Sequence, residues 1–131
     1  MAIVIDRYAH SRLVAEAADA DPLECCGILL GHEGRIDAIQ PATNVHPAPQ
    51  THFEIDPQAL IDAHRSAREG GLAVLGYYHS HPNGLAEPSA TDRRMAAGDG
   101  AIWAIVAGEA VTLWRASPEG FLPLSYTLPN A

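Results

Sequence analysis

Two histidines one residue apart, His79-Ser-His81, close the run Leu72-Ala-Val-Leu-Gly-Tyr-Tyr-His-Ser-His, and Pro82 follows at once. A strand alternates its faces with a period of two, so residues i and i+2 project to the same side. The run is apolar and rich in strand formers, which predicts a strand that ends by presenting both imidazoles on one face. After a loop at 82–88 containing Pro and Gly, Ser89-Ala-Thr-Asp92 has the form of a helix's first turn, with Ser89 as N-cap and Asp92 three residues on. Asp92 lies eleven residues beyond His81, and a helix start there can fold its carboxylate back towards the imidazoles. Two neutral imidazoles and one carboxylate suit a single zinc ion and leave a fourth tetrahedral position open for water, the layout of a catalytic site. A His2Asp set also admits iron or manganese, with zinc preferred for hydrolytic chemistry. Ser89 can cap the helix and still face the metal.

The chain has 131 residues, which suits one domain over 1–131 with a real core. No apolar run approaches the length of a membrane span. Met-Ala-Ile-Val-Ile-Asp at the start lacks the features of a secretory signal, and the expected location is the cytoplasm. The formal net charge is −8, and all eight basic residues are arginine. An acidic surface repels phosphate backbones, so nucleic acid is not an expected partner. Cys25 and Cys26 are adjacent, an arrangement unsuited to a disulfide framework or a four-cysteine zinc site. They read as small buried residues on an apolar strand.

The pattern along the chain is mixed. A strand at 3–5 precedes a helix at 8–20, where Leu13, Val14, Ala17 and Ala18 have helical spacing. Glu24-Cys-Cys-Gly-Ile-Leu-Leu-Gly31 is a nearly continuous apolar run suited to a central strand covered on both faces. A partner strand is expected at 35–40, an irregular loop with three prolines at 41–50, and a short strand at 53–55. A helix follows to about Glu69, with Asp56 as N-cap and Pro57 at the first helical position. Beyond the histidine strand come a short helix at 89–97, a hairpin of 102–107 with 110–115, and a last strand at 120–126. The stretch 121–128 can cap the sheet or meet a second subunit, so oligomeric state stays open. The fold class is α/β, one mixed sheet flanked by helices.

Amide hydrolysis needs a carboxylate that carries the water's proton to the leaving amine and a donor for the developing oxyanion. Ser89 is placed to be that donor. Glu24, Glu33, Glu54 and Glu87 are the candidate carboxylates. Glu87 sits in a loop, Glu33 in a turn and Glu54 in a peripheral strand, whereas Glu24 begins the most apolar strand. An ordinary exposed residue after Asp21-Pro22 is the competing reading of Glu24.

Glu24-Cys-Cys-Gly-Ile-Leu-Leu-Gly31, His79-Ser-His81-Pro82 and Ser89-Ala-Thr-Asp92 together resemble the JAMM (MPN-plus) metalloprotease family. The pattern of a Glu, then His-x-His-Pro-x6-Ser-x-x-Asp, is matched without a gap. The resemblance implies zinc ligands His79, His81 and Asp92, a general base/acid at Glu24, and Ser89 supporting the tetrahedral intermediate. It also implies a cytidine-deaminase-like fold. The chain is similar to the small bacterial and archaeal members, some of which cleave after the Gly-Gly terminus of ubiquitin-like sulfur carriers. Such a carrier tail is the expected partner, and it could add as an extended strand beside the sheet.

A second resemblance, of His79-Ser-His-Pro-Asn-Gly-Leu-Ala-Glu-Pro-Ser89, is to the JAB domain of RadC-type DNA-repair-associated proteins. The Glu24-Cys-Cys-Gly segment and the acidic charge speak against it. A metal-dependent binding module without turnover is a third reading. Tyr77 shares the strand face of His79, and His46, His52, Asn44 and Phe53 lie in or beside a loop able to approach the cleft. His10, His32 and His64 read as surface residues.

Overall fold

Eleven elements make up the computed structural model, which describes residues 3–129. They are β1 (Ile3–Ile5), α1 (Arg7–Ala20), β2 (Cys26–His32), β3 (Arg35–Ala42), α2 (Pro57–Arg68), β4 (Ala73–Ser80), α3 (Ala90–Met95), β5 (Ile102–Ala107), β6 (Ala110–Ser117), β7 (Gly120–Leu124) and β8 (Tyr126–Thr127). The strands form one sheet in the order β7-β6-β5-β4-β2-β3-β1-β8. β1 pairs parallel with β3 and β8, and β4 with β5; the remaining pairs are antiparallel. The α/β class and the mixed sheet with flanking helices agree with the sequence.

The Asp6 carboxylate accepts from Tyr8 and Ala9 N–H, each at 3.1 Å, and so caps α1. Ala9, Leu13 and Ala17 then fall four apart on its buried stripe. That stripe packs among Ile3, Ile5, Leu29, Ile36, Tyr78, Ala104, Val106 and Leu113. Since Tyr78 faces α1, its neighbours Tyr77 and His79 face the opposite side of the sheet. Leu60 of α2 lies on that second side, in a groove with Tyr77 and Trp103. Asp56 caps α2 with Pro57 in its first turn, as the sequence predicts.

Gly76 is fixed by crowding between β4 and β5. A Cβ there would collide with the backbone of Ile102, so β5 can approach only a glycine. This close pairing brings Trp103 and Ile105 alongside Tyr77 and His79.

Four expectations about boundaries change. β3 runs through Pro41 to Ala42 instead of ending at Gln40. Pro41 pairs with Gly27 of β2, while β1 reaches only Arg35 and Ile36 on the other side of β3. Proline is tolerated because its missing N–H meets no partner strand there. The strand expected at 53–55 is a single bridge between Asn44 and Ile55, and α3 stops at Met95. The expected last strand is divided at Ser125: β7 joins β6 at one end of the sheet, and β8 joins β1 at the other. One residue spans only about 3.5 Å, so the two ends of the sheet come together and the sheet curls around α1. Leu124, Tyr126 and Leu128 pack against the core, the capping role open to this stretch.

Candidate metal centre

β4 delivers His79 at the middle of the sheet and His81 one residue past its end, with backbone held from both sides. Ser80 N–H donates to the Cys25 carbonyl at 3.1 Å and Cys25 N–H donates to Ser80 Oγ at 2.8 Å. His81 N–H donates to the Val106 carbonyl of β5 at 2.8 Å. The side chains of His79 and His81 converge, with Nε2 atoms 2.9 Å apart. Asp92 meets them from the first turn of α3. Its Oδ2 lies 3.0 Å from His81 Nε2, and both of its oxygens lie 3.1 Å from His79 Nε2. All three side chains are buried.

The capping box predicted at Ser89 is what aims the carboxylate. Asp92 N–H donates to Ser89 Oγ and Ser89 N–H donates to Asp92 Oδ2, both at 3.0 Å. The Ser89 hydroxyl proton has no acceptor among the described residues, so it is free to donate.

The donor set fits a metal ion. His81 Nδ1 lies 2.7 Å from the Leu85 carbonyl, which requires the proton on Nδ1 and leaves a lone pair on Nε2. That lone pair faces another imidazole nitrogen and a carboxylate in a buried pocket. Three electron-rich atoms converge in this way when a cation or shared proton sits among them. Burial alone would raise the Asp92 carboxyl, but hydrogen bonds from both imidazoles, the charge of His79 and the Ser89 N–H outweigh it and hold it below the usual range. Burial lowers His79 and outweighs the effect of Asp92. At His81 burial also lowers, but Asp92 and the Leu85 carbonyl prevail and the net shift is upward. Among the described residues no other group of three such side chains converges.

Glu24 reaches the same place through register. Cys26 pairs with His79 across β2 and β4; continuing that antiparallel register two residues sets Glu24 opposite His81, on the same face. It is buried, whereas Glu33, Glu54 and Glu87 are exposed. Burial pushes its carboxyl up to about 7, against the pull of His81 and with a further push from Asp92. Burial also pushes the Cys26 thiol up to about 12, in keeping with a packing residue.

Of the loop residues, Phe53 enters the centre itself. Its ring stacks on the His79 imidazole with centroids 4.2 Å apart and planes at 16°. Trp103, which the sequence did not single out, meets that imidazole edge-on at 5.6 Å. Trp103 pairs with Trp114 in the middle of a hairpin, where an aromatic residue looks like any other strand former, so no sequence signal marked it. Asn44 organises the loop, and His46 stacks on His52 at 4.6 Å. Phe53, Ile55, Leu60, Tyr77, Met95 and Trp103 line an apolar groove of about 290 Å³ beside the cluster. Larger clefts include one under α2 and one running from α1 to the turn at His81–Gly84. His10 is half-buried beside Tyr126, His32 pairs with Asp37 at the surface, and His64 is exposed on α2.

A curled mixed sheet with two imidazoles and a carboxylate that could hold a metal ion at its centre, and a buried glutamate beside them, is an arrangement of the JAB/MPN class. The chain belongs to the prokaryotic homologues of the JAB domain, whose family model matches residues 6–117. It is 35% identical over 91 residues to a desampylase of Haloferax volcanii, covering 68% of this chain and 66% of that protein. It is 41% identical over 71 residues to a probable TtuB-protein conjugate cleaving protease of Thermus thermophilus, covering 54% and 47%. The chain thus spans between about half and two thirds of these curated relatives. A Desulfitobacterium hafniense protein solved in solution superposes with a TM-score of 0.86 at 26% identity, over 98% of this chain and 94% of that one. No helix among the described residues is long and apolar enough to cross a membrane.

Proposed function

We propose that this protein is a zinc-dependent hydrolase that cleaves the amide bond after the C-terminal Gly-Gly of a ubiquitin-like or sulfur-carrier protein. His79, His81 and Asp92 hold one zinc ion per chain, Glu24 carries the proton, and Ser89 faces the oxyanion. The observation that carries this reading is the convergence of two imidazole Nε2 atoms and the Asp92 carboxylate within 3.1 Å, with Glu24 opposite in the β2/β4 register. The relative named for cleaving protein conjugates supports the substrate class. The same reading takes residues 1–131 as one functional domain and places it in the cytoplasm, where unbridged Cys25 and Cys26 stay reduced.

Zinc in this position would supply Lewis-acid activation of water and of the scissile carbonyl. Glu24 takes a proton from the attacking water and returns it to the departing nitrogen. A carboxyl held near neutrality by burial suits both transfers. The Ser89 hydroxyl donates to the carbonyl oxygen as negative charge develops there.

A glycine tail lets its backbone approach a buried centre closely. It does not reach that centre from an edge of the sheet. β4 lies three strands in from β7, so a strand added outside β7 would run roughly 19 Å away along the sheet. The tail is instead taken to pair with the backbone of the loops that rim the cluster, 43–56 and 82–88.

Intact-mass spectrometry tests the reaction on a ubiquitin-like sulfur carrier bearing a short extension after its Gly-Gly, with the zinc-loaded protein and with Glu24→Gln. Cleavage after the second glycine by the wild type alone is expected. An intact carrier together with a cut general peptide library would replace the carrier with a broader peptidase substrate. No cleavage of either, with zinc present, would favour a binding module. Ser89→Ala is expected to lower kcat by about 10²–10³-fold and stability by about 1 kcal/mol through the lost cap. A stability loss with unchanged kcat would confine Ser89 to capping.

A further inference from the structure

The two histidines of the cluster are held by different forces. His81 has its second ring nitrogen engaged by the Leu85 carbonyl at 2.7 Å, the usual means of fixing the tautomer and orientation of a ligand imidazole. His79 Nδ1 is buried and has no hydrogen-bond partner among the described residues. If Nε2 faces the metal, nothing bonded to Nδ1 stops the ring from turning. What touches that ring is aromatic: the Phe53 face at 4.2 Å and 16°, and the edge of Trp103 at 5.6 Å and 88°.

We propose that Phe53 is a positioning residue for the metal centre, its stacked ring orienting the His79 ligand where no hydrogen bond does so. The proposal rests on the reading of His79, His81 and Asp92 as metal ligands. A parallel ring at this spacing blocks rotation of the imidazole about its bond to Cβ, because turning would drive imidazole atoms into the Phe53 face. The contact also strengthens when metal binds. A metal-bound imidazole is electron-poor, and the face of Phe53 is the negative part of its quadrupole.

Phe53 sits outside any regular element, yet its position is tightly set. Asn44 Nδ2 donates to the His52 carbonyl at 3.0 Å, and Asn44 Oδ1 accepts from Glu54 N–H at 3.0 Å. One side chain therefore grips the backbone on both flanks of Phe53. The same Nδ2 donates to the Glu24 carbonyl at 3.0 Å. Val45 N–H adds a bond to the Glu54 carbonyl at 2.9 Å. The stacking ring is thereby referenced to the strand end that carries Glu24, so ligand and proton carrier are placed by one loop.

Zinc affinity measured by competition with a chromogenic chelator, together with the visible spectrum of the cobalt(II)-loaded protein, tests this without reference to turnover. Phe53→Leu keeps an apolar side chain but removes the stack, and is expected to weaken zinc binding about 10–100-fold, the cost of losing an outer partner of a ligand. Its cobalt spectrum should shift as His79 reorients. Phe53→Tyr preserves the stack and should retain affinity within about threefold, against that 10–100-fold loss. Phe121→Leu removes the ring 5.0 Å from Trp103 but no contact with His79, and should lower stability with affinity unchanged. Phe53→Met serves the same comparison should the leucine variant not fold. Wild-type affinity and spectrum in the Phe53 variants would overturn the proposal and leave the metal centre standing. Zinc binding by the wild type that Asp92→Asn does not weaken would overturn the metal-centre reading and the proposal with it.

Discussion

Glu24→Gln is expected to lower turnover by about 10²–10⁴-fold while the metal stays bound. The substitution keeps the size and burial of the side chain but removes the group that accepts a proton. Its companion effect is on pH. A base works only when deprotonated, and burial pushes this carboxyl up to about 7, so wild-type kcat/KM should fall as pH drops. A cation held by His79, His81 and Asp92 opposes that shift, placing the acid limb at or below about 7. The limb should vanish in the variant. Stability should move the other way. Burial pushes the folded carboxyl up to about 7 from an ordinary value of 4.5, so the folded state binds more protons between those values and stability falls as pH rises through them. Glu24→Gln should therefore stabilise the metal-free protein above pH 7 by on the order of 2–3 kcal/mol. Urea titrations at pH 5 and pH 8 check this. Equal stability of the two proteins at both values would show that Glu24 is not strained by its burial.

Asp92→Asn should remove the metal. Asp92 is the only anion among the three converging groups, and the loss expected exceeds the roughly 100-fold that an outer partner costs. Metal bound only to the folded state stabilises it by about 4 kcal/mol at a free concentration a thousand times Kd. For a chain of 131 residues that is a Tm shift on the order of 15 °C. Chelation should lower the wild-type Tm by this amount and leave Asp92→Asn unmoved. The variant also loses an acid-sensitive contribution. The imidazoles overcome burial and hold the Asp92 carboxyl below its usual range, so its stabilisation is present above the unfolded value and lost as pH falls through the folded one. A zinc-dependent Tm in Asp92→Asn would remove Asp92 from the ligand set.

The cluster could be read from the sequence because its geometry is local. A period of two sets His79 beside His81, and a capping box sets Asp92 over them. Glu24 needed more: its place opposite His81 follows from the β2/β4 register, which no spacing within β2 reveals. Phe53 and Asn44 lie in a stretch without periodicity, where side chains bonded to backbone do the work of a ladder. Pro41 misled because proline argues against a strand unless the neighbouring position is empty, and that vacancy belongs to β1. The split at Ser125 left no mark either, since a single residue separates strands at opposite ends of the sheet order.

That split bears on how the molecule avoids its own kind. Sheet edges are templates on which another chain can stack, and aggregation begins there. Here one edge strand is the two-residue β8, and the other, β7, carries Pro123 within its five residues. Neither offers a long uninterrupted row of donors and acceptors. The curl around α1 also draws the two margins towards each other. At these described edges, copies of this protein are therefore poor templates for one another.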